Sequence, residues 1–179
     1  MKFLETEFRG LFIIEPKIFE DERGYFFESW SRKIFENNCI DIDFVQDNQS
    51  LSVRNVLRGL HFQAPPYAQG KLVRVIKGSV LDIVVDIRKG SPTFGKHFKI
   101  ELSEKNKIQF YIPPGFAHGF LTLEDQTIFS YKCTDYYNKE SEGTILWNDP
   151  ELMIDWRTSN PIVSDKDNKG IAQKFQLTI

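Results

Sequence analysis

Three histidines, His61, His97 and His118, are the side chains of this sequence best suited to proton transfer near neutral pH. His97 alternates with the apolar residues of a strand-like segment, so we predict that it faces solvent. His61 lies within the segment VLRGLHFQ at 56–63, and His118 follows the segment PPGFA at 113–117. Each of these two is either an acid–base group or a hydrogen-bonded core residue, and spacing alone does not decide between them.

Four polar residues, Arg58, His61, Gln63 and Lys71, fall within a segment that otherwise suits the wall of a barrel. Burying so many polar groups costs free energy unless they pair with each other or bind something. The cluster therefore predicts a site for an anionic or carbonyl-bearing ligand.

A bound metal is the first alternative for this cluster. The segment from Pro113 to His118 resembles the second motif of metal-binding cupins, whose first motif carries two histidines as H-x-H. Gln63 stands where the second of those histidines would be, so only His61 and His118 remain as imidazole ligands. Two histidines rarely complete a metal site. We therefore predict no metal, and a metal-dependent cupin oxygenase or isomerase stays open as a rival class.

Without a metal, the residue types suit acid–base chemistry next to a ketone. A neutral imidazole at His61 can accept a proton, and a carboxylate on its other nitrogen, for which Asp167 is a candidate, would fix its tautomer. The phenol of Tyr131 can return a proton from the opposite side of a ring, and Lys71 can stabilise the developing enolate oxygen. The sequence shows no acyl-transfer arrangement and no glycine-rich phosphate loop. A barrel that binds a sugar without catalysis is the remaining alternative.

Short alternating segments separated by turns dominate the chain and must position these groups. Such segments lie at 72–76, 81–87, 97–102 and 126–134. Many short strands at this spacing indicate a sandwich or barrel. We predict an all-β fold, a cupin-like antiparallel jelly-roll barrel with a few short helices, whose interior can hold a small ligand.

Two features of these strands bear on the interior. Tyr131 shares a face with Phe129 and is predicted to point inward. Asp82 and Asp86 interrupt the otherwise apolar strand at 81–87.

Gly59 decides which residues of its strand point into the barrel. In a regular strand Leu57, Gly59, His61 and Gln63 share one face. A bulge at Gly59 would instead bring Arg58 round to the same side, and the sequence leaves both arrangements open.

Helix signals are few. Ser31 is predicted to begin a short helix that runs to about Asn38. Asp149 is predicted to begin a further turn that runs to about Asp155.

Composition limits the classes of protein and partner. The 179 residues are 41% hydrophobic and 27% charged, which suits one globular domain over 1–179. The net charge of −2 argues against a nucleic-acid or membrane partner. Cys39 and Cys133 suggest neither a disulfide framework nor a zinc cluster. Without a signal peptide or a spanning apolar run, we predict a cytoplasmic location.

A series of motifs along nearly the whole chain carries a resemblance to a known family. The motifs are DERGYFFE (21–28), QDNQS (46–50), VLRGLHFQ (56–63), QGKLVRV (69–75), IPPGFAHGF (112–120), YKCTDYY (131–137), WNDPELMIDW (147–156) and SDKD (164–167). With these motifs the chain resembles the dTDP-4-dehydrorhamnose 3,5-epimerases of the dTDP-L-rhamnose pathway.

The resemblance implies a cupin-type barrel that forms a homodimer and acts on a nucleotide sugar without a cofactor. It implies that His61 accepts the proton with Asp167 as its partner, that Tyr131 donates the proton and that Lys71 contacts the enolate. Other positions match substrate contacts of the family: Arg23 and Lys166 at the diphosphate, Tyr137 stacked on the thymine ring, and Glu28, Gln46, Asp47, Asn48, Arg58, His118 and Glu142.

The activity implied by the resemblance is inversion of C3 and C5 in dTDP-4-dehydro-6-deoxy-D-glucose, which gives dTDP-4-dehydro-L-rhamnose. Inversion of only one of these carbons in a related 4-keto sugar nucleotide is the alternative within the same class.

Overall fold

Two antiparallel sheets face each other and form the body of the protein, as seen in a computed structural model that describes residues 1–38 and 40–171. In chain order the elements are β1 (Lys2–Glu5), β2 (Phe12–Glu15), β3 (Phe19–Asp21), β4 (Gly24–Phe26), α1 (Arg32–Glu36), β5 (Gln46–Ser52), β6 (Val56–Gln63), β7 (Lys71–Lys77), β8 (Ser79–Asp86), β9 (His97–Ser103), β10 (Gln109–Ile112), β11 (Phe116–Thr122), β12 (Thr127–Cys133), β13 (Glu142–Thr144), β14 (Ile162–Val163) and a 3₁₀ turn (Asp167–Lys169).

The strand order interleaves distant parts of the chain. The first sheet runs β1-β2-β10-β7-β12-β5, and the second runs β13-β6-β11-β8-β9 with β14 parallel to β6. Strands β3 and β4 form a separate hairpin. The predicted all-β antiparallel jelly-roll is confirmed.

An apolar core fills one part of the space between the two sheets. The first sheet contributes Val73, Phe110 and Phe129, and the second contributes Val84 and Phe120, all of them buried. Phe120 and Phe129 stack with ring centroids 4.1 Å apart. Burying each of these phenylalanines stabilises the fold by about 2–3 kcal/mol. The two sheets are thereby held at a fixed separation.

The outer face of each sheet is also covered. Phe35 of α1 is fully buried against Ile14 and Leu72 of the first sheet. Leu152 and Trp156 lie on the outer face of the second sheet. Side chains on both faces of these strands are therefore buried, as the uninterrupted burial of β8 shows.

The predicted short helix is present as α1, with Ser31 at its N-cap position. The Ser31 side chain makes no capping hydrogen bond, so packing of Phe35 is what stabilises this short helix. After Asp149 the chain makes a turn, in which the Leu152 N–H donates to the Asp149 carbonyl.

The prediction that His97 faces solvent is wrong, because its ring is half-buried. It lies on the outer face of β9, where it interacts with the backbone of Leu152 in the covering segment. Burial lowers the pKa of His97 below its ordinary value. Alternation gave the correct face of the strand, on which Lys99 and Glu101 are exposed, but the covering segment partly buries His97.

Two further expectations concern the surroundings of the chain. Cys133 is a buried free thiol, and Cys39 lies outside the described residues. Within the described parts of the chain, no helix is long and apolar enough to cross a membrane.

Candidate active site

A bulge in β6 sets the orientation of the polar side chains on this strand. His61 is paired with His118 of β11 and Arg58 with Phe120, so the register shifts between the two pairs. Gly59 has a φ of +128° and its peptide bond to Leu60 is cis. A Cβ at Gly59 would lie 2.4 Å from the Gly119 Cα, so only glycine fits there.

The bulge places Arg58 on the same side as His61, as the bulged arrangement predicts. Both side chains line one cavity. The regular-strand alternative is wrong, because Leu57 belongs to the apolar cluster on the outer face of the sheet. Gln63 bonds the neighbouring loop, donating to the Tyr67 carbonyl at 2.6 Å and accepting from the Asn138 N–H at 2.8 Å. The protein itself therefore satisfies the Gln63 amide.

The cavity between the two sheets has a volume of about 680 Å³, within the usual range for small-ligand sites. An adjoining recess of about 180 Å³ shares four of its lining residues, Asn48, His61, Lys71 and Tyr131. The two spaces therefore adjoin along a shared set of polar side chains.

His61 and Asp167 form a hydrogen-bonded pair, with His61 Nε2 2.6 Å from Asp167 Oδ1. Asp167 is buried at the start of the 3₁₀ turn, and its Oδ2 accepts the Gly59 N–H at 3.3 Å. Burial alone would raise the pKa of Asp167, but its bonds to His61 and Gly59 bring that pKa below its ordinary value. The ionised carboxylate fixes the tautomer of the His61 ring and stabilises its cation.

Lys71 of β7 and Tyr131 of β12 lie on the first sheet, opposite His61 and His118 on the second. The Lys71 Nζ is 5.9 Å from the centre of the Tyr131 ring. Burial lowers the pKa of Lys71 and raises the pKa of Tyr131. Lys71 Nζ and the Tyr131 hydroxyl have no hydrogen-bond partner among the described residues, so both are available to a ligand.

A second imidazole–carboxylate pair, which the sequence analysis did not predict, lies beside the first. His118 Nε2 is 3.0 and 2.9 Å from the two oxygens of Asp82, and the Asp82 side chain is fully buried. Asp82 is the residue that interrupts the apolar pattern of β8, and this interruption was the available signal. We call the face carrying His61 and His118 the imidazole wall, and the face carrying Lys71 and Tyr131 the amine–phenol wall.

The recess gathers several residues that resemblance assigns to substrate contacts. Glu142 accepts hydrogen bonds from the Tyr137 hydroxyl at 3.0 Å and from Lys166 at 2.5 Å. Gln46 accepts the Tyr137 N–H at 2.9 Å and donates to Asn48 at 3.1 Å. Burial raises the pKa of Glu142, but Lys166 and Tyr137 bring it below its ordinary value. These side chains hold one another at the rim.

Three predicted contacts are not brought to the cavity by this chain. Arg23 lies on the β3–β4 hairpin and is paired with Asp21. Glu28 is exposed beyond the same hairpin. Asp47 pairs with Lys132 at 2.7 Å on the face of β5 opposite Asn48, because neighbouring strand residues point to opposite sides.

The donor set also bears on metal binding. Within residues 1–38 and 40–171, no three His, Cys, Asp or Glu side chains are grouped so that they could hold a metal ion. His61 and His118 each already hold a carboxylate through Nε2.

Comparison with known proteins agrees with this geometry. The family model described as dTDP-4-dehydrorhamnose 3,5-epimerase matches residues 5–174. The dTDP-4-dehydrorhamnose 3,5-epimerase of Shigella flexneri is 52% identical over 176 residues, which is 98% of this chain and 96% of the relative.

Solved structures show the same similarity. The dTDP-6-deoxy-D-glucose-3,5-epimerase of Legionella pneumophila, solved with dTDP-4-keto-L-rhamnose, has a TM-score of 0.93 and 49% identity, covering 97% of this chain and 93% of that one. The 3′-monoepimerase ChmJ of Streptomyces bikiniensis, solved with dTDP-quinovose, has a TM-score of 0.89 and 31% identity, covering 94% and 86%. Match length, identity and fold together place this chain in the dTDP-4-dehydrorhamnose 3,5-epimerase family.

Proposed function

We propose that this protein inverts C3 and C5 of dTDP-4-dehydro-6-deoxy-D-glucose and so forms dTDP-4-dehydro-L-rhamnose. The observation that carries the proposal is the His61–Asp167 pair, which faces Lys71 and Tyr131 across one cavity. Relatives near 50% identity bear the name of this activity. The chemistry requires a base, an acid on the opposite side and a cation at the ketone oxygen, and these walls offer all three.

The first step is proton removal next to the C4 ketone. His61 Nδ1, the nitrogen not held by Asp167, accepts the proton from carbon, and the electron pair of the broken C–H bond forms the enolate. The negative charge collects on the C4 oxygen, where the Lys71 ammonium donates a hydrogen bond to it. Asp167 stabilises the imidazolium that forms.

The second step is proton return from the other side. The Tyr131 hydroxyl donates its proton to the carbon, and the C4 ketone forms again as the enolate electrons move to the new C–H bond. His61 then loses its proton and Tyr131 regains one by exchange with solvent. In the D-gluco ring the C3 and C5 hydrogens are axial on the same face, so one base wall serves both carbons.

The remaining residues suit the nucleotide and its diphosphate. Lys166 is a cation at the rim, suited to a phosphate oxygen. Tyr137 is exposed, so its ring is available to stack on a base. Arg58, held by Ser52 at 3.2 Å, and His118 meet the sugar in this proposal.

A homodimer accounts for two of the three predicted contacts that one chain leaves away from the cavity, Arg23 and Glu28. The β3–β4 hairpin exposes Phe19, Tyr25 and Phe26 to solvent, as a segment that packs on a partner would. We propose that the hairpin carries Arg23 and Glu28 to the cavity of a second copy. Chains with Arg23→Gln and with His61→Asn, each weak alone, should regain activity when mixed dimers form; mixed dimers without recovery exclude this arrangement.

Two smaller points complete the proposal. We place the protein in the cytoplasm, because the buried free thiol of Cys133 suits a reducing compartment. We also propose that residues 1–179 form one domain.

The metal-dependent alternative is tested by elemental analysis of the purified protein, where a stoichiometric metal required for turnover would favour it.

The test of the proposed function is reaction of the 4-keto sugar nucleotide in deuterated water. Deuterium should enter at both C3 and C5, with formation of the L-configured product. Deuterium at C3 alone would instead favour inversion of a single carbon. ChmJ, a relative with the same fold, is named a 3′-monoepimerase. Deuterium at neither carbon would contradict an epimerase of this kind.

A further inference from the structure

We propose that the buried Asp82 is a positioning residue, which holds His118 as the tautomer whose Nδ1 accepts a hydrogen bond from a hydroxyl of the sugar ring. This inference rests on the proposed function, since it names a selectivity device in the same cavity. Asp82 hydrogen-bonds only the His118 ring among the described residues, and it also attracts the Lys71 ammonium across the cavity.

The geometry leaves one role for Nε2 of His118. This nitrogen lies 3.0 and 2.9 Å from the two oxygens of Asp82, and a carboxylate can only accept at such a contact. Nε2 therefore carries a hydrogen in either charge state of the ring. The carboxylate itself is fully buried, so its direction is fixed by the β8 backbone.

The ring of His118 is also fixed in its plane. It stacks on Phe129 with centroids 6.2 Å apart and an interplanar angle of 27°. His118 is directly paired with His61 across β6 and β11, so both imidazoles lie side by side on one wall. Packing and the carboxylate together determine where Nδ1 points.

His118 Nδ1 makes no hydrogen bond within the described chain and is not among its buried unpartnered nitrogens, so it opens on the cavity. Burial lowers the pKa of His118, and the nearby Lys71 and His61 act in the same direction, whereas Asp82 opposes them. The ring is thus neutral, and with hydrogen on Nε2 its Nδ1 is an acceptor.

A hydrogen-bond acceptor at His118 Nδ1 requires a hydrogen-bond donor on the proposed substrate. Lys71 is the donor suited to the ketone oxygen, whereas a neutral Nδ1 would repel that oxygen and its enolate. A hydroxyl donates readily to such a nitrogen. The group that donates to Nδ1 is therefore a hydroxyl of the sugar ring. It is the hydroxyl on C3, beside the ketone, or the one on C2, and the second test below distinguishes these two positions.

The first test measures the tautomer directly. In ¹⁵N NMR of the labelled protein, His118 should show a protonated Nε2 and an unprotonated Nδ1 at pH 7. In Asp82→Asn, the amide NH₂ can donate to Nε2 and drive the hydrogen to Nδ1. A wild-type ring that is cationic, or that carries its hydrogen on Nδ1, overturns the proposal whatever the catalytic activity is.

The second test uses the substrate and its 2-deoxy and 3-deoxy analogues. Deuterium entry at C5 is followed as kcat/KM for wild type and Asp82→Asn. The variant should lose about 10- to 100-fold on the natural substrate, the worth of a hydrogen bond whose partner becomes unsatisfied. On the analogue that lacks the recognised hydroxyl, the two proteins should be within about twofold of each other.

Equal losses on all three substrates would show that Asp82 is only structural, and an unaffected natural substrate would also overturn the proposal. His118→Gln, whose amide NH₂ can still donate to the buried Asp82, removes the Nδ1 acceptor and gives the same comparison if Asp82→Asn does not fold. Exchange by wild type on the natural substrate is the separate control for the proposed function. If wild type fails to exchange, the epimerase proposal fails while the NMR result still decides the tautomer.

Discussion

The imidazole wall and the amine–phenol wall differ in how their polar atoms are used before any ligand arrives. On the imidazole wall, His61 and His118 are each bonded to a buried carboxylate. On the amine–phenol wall, Lys71 and Tyr131 have no hydrogen-bond partner among the described residues. One wall is preorganised by the protein, whereas the other has polar groups that the described chain leaves free to bind a ligand.

This difference has a physical consequence for catalysis. A base must keep one tautomer and stabilise its own cation, which requires a partner built into the fold. An enolate donor and a proton donor act only when charge develops, so partners within the protein would compete with the substrate. The comparison therefore supports our proposal that the imidazole wall removes the proton and that the other wall stabilises the charge and returns the proton.

The largest expected loss of activity comes from removing the catalytic base proposed here. His61→Asn should lower deuterium entry at both C3 and C5 by about 10³- to 10⁴-fold, near the upper range for general acid–base catalysis. The measurement is the initial rate of exchange in deuterated water, with nucleotide-sugar binding by calorimetry as the control. Exchange at one carbon that survives would show that a second base operates on this wall.

The next effect should come from Lys71→Met, which keeps the length of the side chain but removes its charge. Exchange should fall by about 10²- to 10³-fold, the usual cost of losing one donor to a developing oxyanion. Lys132→Met, on the outer face of β12, is a matched control and should stay near wild-type activity. Equal losses in the two variants would remove the special role of Lys71.

The smallest expected effect is a shift of the alkaline limb of the pH profile. Burial lowers the pKa of Lys71 below its ordinary 10.5, so its ammonium is lost as pH rises through that lowered value. Burial shifts the pKa of Tyr131 in the opposite direction, above its ordinary 10.0, so its phenol keeps its proton to higher pH than an ordinary tyrosine. The limb should therefore move to higher pH in Lys71→Met, measured on the residual exchange rate. A limb that stays unchanged would assign it to another group.

Sequence patterns predicted the class of fold because alternation and turn signals are local properties. They also predicted the pairing of His61 with Asp167, although only through resemblance, since 106 positions of sequence separate the two residues. The side on which Arg58 lies could not be decided, because it depends on a register shift against β11. A bulge is a property of two strands together.

Tertiary covering explains the other differences. His97 is half-buried because a distant segment, at Leu152, packs against its ring, and alternation within β9 contains no information on that segment. Asp82 was visible as an interruption of an apolar strand, but its partner became apparent only from the pairing of β8 with β11. Arg23 and Glu28 match family contacts in sequence, whereas their places in the cavity depend on a second chain in our proposal.

The most direct measurement of the division between the two walls is the ratio of solvent exchange to inversion in Tyr131→Phe. His61 has 30% of its side chain exposed, so its proton can exchange with solvent while the enolate is held. We expect this variant to incorporate deuterium with retained configuration, while inversion at C5 falls by at least about 10²-fold. Exchange and inversion that fall together, or inversion that continues at the wild-type rate, would contradict proton return from the amine–phenol wall.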